Sequence, residues 1–339
     1  VAIALAALLY LGACRQDVFT WLEKKMYGSL DIYKYGDFYT MTKLSAFKIP
    51  IKGTAQAKLT TLDTNDAIFM LGDSYTQSGR VDSPCFNGAR YVQHHYADNY
   101  LPAIIDSTKN NILVFEIIER DLLKTCKAII GNQAPNIATT SGNLMQVYNR
   151  FAWLKPYFNT KGIEQNLEYL TSYNKPSNFL QELKADFKFH ILNEIDPRVR
   201  YNSRTKLLYL NITIDSTIEG SCYKRLSDED KHTIQQGFAL YATHAKSVGF
   251  KKMIISVIPE KTRVYPAVEG VQNDLHTYLY QLQAQMPDVC FMDVLKTINT
   301  KKDNEMLWWP NDTHWKPAAC DLWLAALNDS IASIKLTTR

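Results

Sequence analysis

Ala67-Ile68-Phe69-Met70-Leu71-Gly72-Asp73-Ser74-Tyr75 is an unbroken apolar run that ends in a turn carrying a serine. Continuous apolar character suits a strand covered on both faces, as in a parallel sheet, and the turn then presents the serine hydroxyl beyond the strand's carboxyl end. Gly72 permits the close backbone approach that such a turn needs. A helix expected directly after Ser74 would aim its N-terminal amides at the same point, ready to bind an oxyanion. Taken alone, the segment fits a helix N-cap serine as well as it fits a nucleophile.

Asn311-Asp312-Thr313-His314-Trp315, near the C-terminus, complements that serine. Imidazole accepts and returns a proton near neutral pH, so His314 reads as the general base for Ser74 and Asp312 as the acid that fixes its tautomer. The bland alternative is a core histidine packed beside Trp308, Trp309 and Trp315. Asp293, at the end of another strand-like run, rivals Asp312, although strand-end acids usually serve as caps. Asn311-Asp312-Thr313 and Asn211-Ile212-Thr213 match the glycosylation sequon, but a glycan on Asn311 would block this site, and both are read as coincidences.

Three further runs resemble the first: Asn111–Ile118, Met253–Ile258 ended by Pro259, and Val289–Val294. Helical patterns fall between them at Ser227–Val248, opened by a serine with an acid three residues on, and at Val271–Met286. A last helix is expected from Pro317, with Ala318, Leu322, Ala325 and Ala326 toward the core. Alternating strands and helices predict an α/β doubly wound, mainly parallel sheet, with ligands beyond the carboxyl ends of its strands. Residues from about 125 to 226 break this rhythm with helical stretches at Leu144–Phe158 and Asn178–Asn193 and a hairpin around Leu207–Ile214. They read as a cap inserted into a sheet domain spanning 61–335. Phe115-Glu116-Ile117-Ile118-Glu119-Arg120-Asp121 closes the second strand with a Glu-Arg pair, and Arg120 is a candidate to hold an acyl oxygen or a sugar. A structural salt bridge is the competing reading.

A chain of 339 residues, 46% hydrophobic and 21% charged, can bury a substantial core. Its net charge of +4 is spread without a basic stripe, which argues against a nucleic-acid partner. The 20 tyrosines and 6 tryptophans suit carbohydrate contacts, but equally cores and edge strands. None of the 6 cysteines has metal or redox spacing, although one or two disulfides are allowed outside the cytoplasm. His94-His95 are adjacent, not one helical turn apart, and read as a surface pair, so no metal site is expected. Residues 1–14 are almost wholly apolar and read as the tail of a signal sequence or membrane anchor, followed by a membrane-proximal connector over 15–60. Leu11-Gly12-Ala13-Cys14 also resembles a lipoprotein cleavage box. An apolar Val18-Phe19-Thr20-Trp21-Leu22 favours an uncleaved anchor, and either form places the body outside the cytoplasm.

Taken together, these blocks resemble the SGNH hydrolase superfamily, and within it the alginate O-acetyltransferase-like branch. Gly72-Asp73-Ser74-Tyr75 is similar to the branch's nucleophile block, Phe115 to Leu122 to its strand ending in Glu-Arg, and Ser256 to Lys261 to its strand-Pro-x-Lys block. Asp312-Thr313-His314-Trp315 matches its Asp-x-His-Trp block. The resemblance covers residues 60–125 and 245–335. It implies a flavodoxin-like sheet with Ser74, His314 and Asp312 as a catalytic triad. Two departures stand out. The Asp-x-His block precedes the serine block in the alginate enzymes and follows it here, as in ordinary SGNH hydrolases. The Gly-x-Asn-Asp of SGNH esterases has no counterpart, and Arg120 falls near its place in the order of blocks.

The resemblance implies a membrane-tethered, extracytoplasmic O-acyltransferase of the cell membrane or periplasm that needs no cofactor. Its acceptor would be a cell-surface or secreted polysaccharide, and its acyl donor would be delivered by a membrane-bound O-acyltransferase. A polysaccharide O-acetylesterase would use the same residues with water as acceptor. A non-catalytic glycan-binding protein would keep the fold alone.

Overall fold

The computed structural model describes residues 2–22, 34–95, 100–102, 105–131, 136–138, 163–164, 167 and 175–337. They belong to two compact units, one formed by Val1–Ile51 with Gly142–Asp196, the other by Lys52–Ser141 with Pro197–Arg339. Helices of the first unit are α1 (Ala2–Cys14), α2 (Gln16–Leu22) and α3 (Gly36–Thr42). The second unit contributes strands β1 (Asp66–Gly72), β2 (Arg90–His95), β3 (Tyr100–Pro102), β4 (Asn110–Ile118) and β5 (Asn136–Ala138), with helix α4 (Leu122–Ile130). Helix α5 (Lys175–Ile191) returns to the first unit, and the expected helix over Leu144–Phe158 lies outside the described residues. The second unit then adds β6 (Val199–Asn202), β7 (Leu207–Leu210), α6 (Asp228–Val248), β8 (Lys252–Ile258), α7 (Lys261–Val264), α8 (Leu275–Gln285), β9 (Val289–Met292), α9 (Val294–Asn299) and α10 (Pro317–Thr337).

In the first unit, α1 is thirteen residues long, and among the described residues no helix is long and apolar enough to cross a membrane. Leu22 of α2 packs against Leu8, Leu9, Val18 and Phe19. Phe38 and Tyr39 lie in α3, where Tyr39 donates through its hydroxyl to Glu182 of α5. Lys48 reaches the same carboxylate at 2.6 Å.

The second unit is built on a five-stranded sheet in the order β2-β1-β4-β8-β9, with every neighbouring pair parallel. Numbered among themselves, these strands run 2-1-3-4-5, the flavodoxin-like arrangement, whose ligand crevice opens where the order reverses. That reversal lies between β1 and β4, at the carboxyl ends from which Ser74 and Glu119-Arg120 emerge. Because side chains alternate across a strand, each strand feeds two cores. Ile68, Met70, Ile112, Val114 and Ile254 face one, while Ala67, Phe69, Leu113, Phe115 and Ile255 face the other. The second core is covered by α4, α6 and α8 through Cys126, Phe238 and Leu282. The first is covered by α10 through Trp323, Leu327 and Ile331, and reaches back to Ala55 and Leu59.

Helix α6 starts as its sequence announces, with Ser227 and Asp230 exchanging the two bonds of a capping box, and stops at Gly249 in the left-handed region. Three expectations need correction. β2 was not foreseen, since Arg90-Tyr91-Val92-Gln93-His94-His95 is polar enough for an edge position and too polar for a buried strand. The core face of α10 is only partly the one expected: Ala326 is buried with Ala319, Trp323, Leu324 and Leu327, and half-buried Ala318 and Leu322 pack against the core, whereas Ala325 is exposed. Finally, no helix follows Ser74; turns and bends run to a single 3-10 turn at Ser83–Phe86. The antiparallel hairpin β6–β7 and its flanking loops to residue 226 belong to the sheet unit. All six cysteines are free thiols.

Candidate active site

Two loops build the site. The first leaves β1 at Gly72. The second is closed by a backbone bridge between Trp308 and Trp315, with Trp309 accepting from Asp312 N–H and donating to the His314 carbonyl. Lys261, buried just after β8, donates to the Trp309 carbonyl at 2.7 Å and to the Leu208 carbonyl at 3.0 Å, fixing this loop to the β6–β7 hairpin. The loops are then stitched to one another: the Tyr75 hydroxyl donates to the Thr313 carbonyl at 2.7 Å, and Trp315 Nε1 donates to the Tyr75 carbonyl at 3.1 Å. Both side chains are fully or almost fully buried, so the stitching is shielded from competing water.

Their convergence brings Ser74 Oγ to 2.7 Å from His314 Nε2, and Asp312 Oδ1 to 2.9 Å from His314 Nδ1. With Nδ1–H donating to the carboxylate, Nε2 is left as the acceptor for the serine hydroxyl, the polarity a general base requires. Burial would raise the Asp312 pKa. The hydrogen bond from His314 and the electrostatic attraction of its ring outweigh burial and hold this carboxyl well below the usual carboxylate range. Asp312 also accepts the His314 backbone N–H at 3.3 Å. His314 is therefore not a histidine spent on the tryptophan cluster: Trp308, Trp315 and Trp323 pack on one another, while the His314 ring lies against Tyr75 and faces Ser74. Asp293 takes no part, since it caps α9 by accepting from Lys296 N–H at 3.0 Å. Asn311 is fully buried, which leaves the sequon there inaccessible.

Gly72 stands where a side chain cannot. A Cβ at this position would lie 2.5 Å from Thr76 Oγ1 and 2.7 Å from Glu116 Oε2. Gly72→Ala is expected to lower stability by about 1–3 kcal/mol through overpacking and to displace the serine turn, measured by urea unfolding together with serine labelling.

Arg120 sits in the turn after β4, where its charge acts on Asp73 and Tyr75. Its Nη1 is committed to buried Glu260 at 2.6 Å. Burial alone would lower the Arg120 pKa, and Glu260 reverses this and raises it, so the guanidinium stays charged. Glu119 beside it turns the other way and takes two guanidinium nitrogens of Arg263, with His276 Nε2 at 3.3 Å. Burial is again overcome, here by Arg263, and Glu119 stays ionised well below its ordinary range. Arg263→Ala would strand that carboxylate in the interior, and a loss of about 3–5 kcal/mol in denaturant unfolding is expected. Glu119, Glu260, Lys261 and Arg263 had no assigned role in the sequence. The Pro259-Glu260-Lys261 block was visible as a motif, but its partners lie far away in the chain.

No family model and no solved structure matches the chain. Two curated proteins are similar to parts of it, both named "Probable alginate O-acetylase AlgJ". The one from Pseudomonas aeruginosa is 33% identical over 75 residues, 21% of this chain and 19% of the relative. The one from Pseudomonas syringae pv. tomato is 26% identical over 155 residues, 44% of this chain and 37% of the relative. The chain thus has weak, partial homology to these AlgJ proteins and spans well under half the length of either.

Proposed function

We propose that the chain is an extracytoplasmic serine O-acyltransferase that places an acyl group, most simply acetyl, on a hydroxyl of a cell-surface or secreted polysaccharide. The observation that carries this reading is the hydrogen-bonded series Ser74–His314–Asp312, at 2.7 Å and 2.9 Å. Ser74 Oγ attacks the acyl carbonyl carbon while His314 Nε2 takes the hydroxyl proton. The tetrahedral intermediate collapses, and the donor's leaving group departs with that proton. The acyl-enzyme ester is then attacked by a sugar hydroxyl, which gives its proton to Nε2, and Ser74 recovers it on release. Asp312 holds the imidazole in register and stabilises the transient imidazolium.

Because no helix follows Ser74, oxyanion donors come from other elements in this scheme. Arg120 is the proposed one, its planar fork still offering N–H groups beside the one bound to Glu260. Similarity to proteins named for O-acetylation of alginate supports both the acyl group and the acceptor class. The apolar residues 1–14 support tethering at the cell membrane, with the body on the outer side. There a membrane-bound O-acyltransferase would supply acyl groups that cytoplasmic acyl-CoA cannot. The chemistry requires neither metal nor cofactor.

The test supplies 4-nitrophenyl acetate as donor, with and without alginate oligosaccharides. The expected result is an acetylated Ser74 peptide by mass spectrometry and acetyl esters on the sugar. Acetate release unaffected by the oligosaccharide would make the protein an esterase. Failure to acetylate Ser74 at all would leave a glycan-binding protein.

A further inference from the structure

Glu116 is a carboxyl group toward the carboxyl end of the apolar strand β4, fully buried beside Gly72. Its Oε2 accepts the Asp73 backbone N–H at 2.9 Å and the Thr76 hydroxyl at 2.7 Å, one bond on each side of Ser74. Asp73 answers in kind. Its Oδ2 accepts the Ile118 backbone N–H at 3.0 Å, and its Oδ1 accepts the Tyr75 N–H at 2.7 Å. The backbone register of β1 with β4 ends at Leu71 opposite Phe115. Beyond that point the two carboxyl side chains replace the ladder as reciprocal cross-braces.

We propose that Glu116 is a positioning residue for Ser74, acting as a neutral carboxylic acid that clamps both shoulders of the nucleophile turn. The inference rests on the catalytic reading of Ser74 given above. Neutrality follows from the surroundings. Glu116 Oε1 is buried with no hydrogen-bond partner among the described residues, and no cation among them bonds this side chain. The groups that face it are the carboxylate of Asp73, the Tyr91 phenol of β2 and the Cys320 thiol of α10. Burial raises the Asp73 pKa as well, but the Tyr75 N–H, Arg120 and His314 all pull it down, so of the two carboxyls Asp73 is the one held toward ionisation. A bare charge in such a place is strongly disfavoured. In accord, burial first and the Asp73 charge second push the Glu116 pKa well above the ordinary carboxyl range. The sign is then fixed: the acid persists to higher pH than a solvated glutamate, and the folding stability it contributes is lost as pH rises through the raised value, where ionisation would leave a charge buried beneath the turn.

Glutamine keeps the shape and the neutral acceptor, whereas alanine removes both bonds. Hydrolysis of 4-nitrophenyl acetate, corrected for spontaneous cleavage, is compared for wild type, Glu116→Gln, Glu116→Ala and Ser74→Ala. The expected result is a fall in kcat of about a hundredfold for Glu116→Ala with KM changed less than about threefold, since small misplacement of a reacting group has this cost. Glu116→Gln should stay within about fivefold of wild type and lose any alkaline fall in kcat that depends on Glu116. Wild-type kcat in Glu116→Ala, or a Glu116→Gln variant as impaired as Glu116→Ala, would overturn the proposal. Hydrogen exchange of the peptide holding residues 72–78 gives a second readout, independent of turnover. Exchange should speed up in Glu116→Ala and not in Glu116→Gln, and equal protection in all variants would overturn the clamp. Should wild type itself show no Ser74-dependent turnover, the catalytic reading fails, and the exchange data still decide whether Glu116 holds the turn.

Discussion

Ser74→Ala is expected to abolish acyl-enzyme formation and to lower turnover of an activated acetyl ester by about 10⁴-fold or more, while unfolding stability changes by less than about 0.5 kcal/mol. The asymmetry follows from what the hydroxyl touches. Ser74 is only half-buried, and its Oγ bonds to His314 Nε2. The structural bonds of this turn belong to its neighbours: Asp73 and Tyr75 in the backbone, Thr76 through its hydroxyl, and Tyr75 again through its phenol to the Thr313 carbonyl. Removing Oγ therefore costs one hydrogen bond at a partly wet site and leaves the turn braced. Loss of activity could otherwise be blamed on misfolding, so the decisive comparison pairs ester hydrolysis with a urea midpoint on the same preparation. Full activity in a folded Ser74→Ala protein would place the nucleophile elsewhere.

What could be read from the chain divides along physical lines. Buried parallel strands announce themselves because both faces must be apolar, and Ile68–Leu71, Asn111–Ile118 and Met253–Ile258 fall within or on the strands found. Among the described residues β2 is the outermost strand of the sheet, so Arg90, Gln93 and His95 are tolerated and its pattern fades into that of a loop. On α10 only Ala325 was placed on the wrong face, because a small alanine says little about direction, while Trp323 and Leu327 carry the burial. The meeting of Ser74, His314 and Asp312 was legible for a different reason: two short motifs that together supply a hydroxyl, an imidazole and a carboxylate suit one another chemically.

Glu116 was in plain view as an acid inside an apolar run, yet its role was not. Periodicity reports which side chains avoid water, and a buried carboxyl is explained only by the donors that meet it, here Asp73 N–H and Thr76 Oγ1. The Glu119–Arg263 and Arg120–Glu260 pairs were hidden for a similar reason. Each joins the turn after β4 to the segment after β8, and nothing in either segment names its partner. Their effect on the site is nonetheless direct. They tie together the carboxyl ends of two adjacent strands, so the crevice at the reversal of strand order has a rigid wall on one side and the braced serine turn on the other.

Asp312→Asn is expected to lower kcat by about 10³–10⁴-fold while leaving ester binding and the fold nearly unchanged. In the native site the Asp312 carboxylate accepts the Nδ1–H of His314 at 2.9 Å and thereby selects the tautomer whose Nε2 is bare and faces Ser74. An asparagine occupies the same space but carries both a donor and an acceptor. When its NH₂ faces Nδ1, that nitrogen becomes the acceptor, the proton moves to Nε2, and the serine hydroxyl meets a donor where it needs a base. Even the favourable amide orientation lacks the negative charge that stabilises imidazolium as Ser74 gives up its proton. The carboxylate is held ionised below its ordinary range, so this charge is present throughout the neutral region. A purely structural role for Asp312 predicts something different: parallel losses of kcat and stability, and no change in the shape of the pH profile. Measured kcat against pH for wild type and Asp312→Asn separates the two. The catalytic role requires Asp312→Asn to regain part of its rate at high pH, where hydroxide takes over the proton that the wrong tautomer cannot accept.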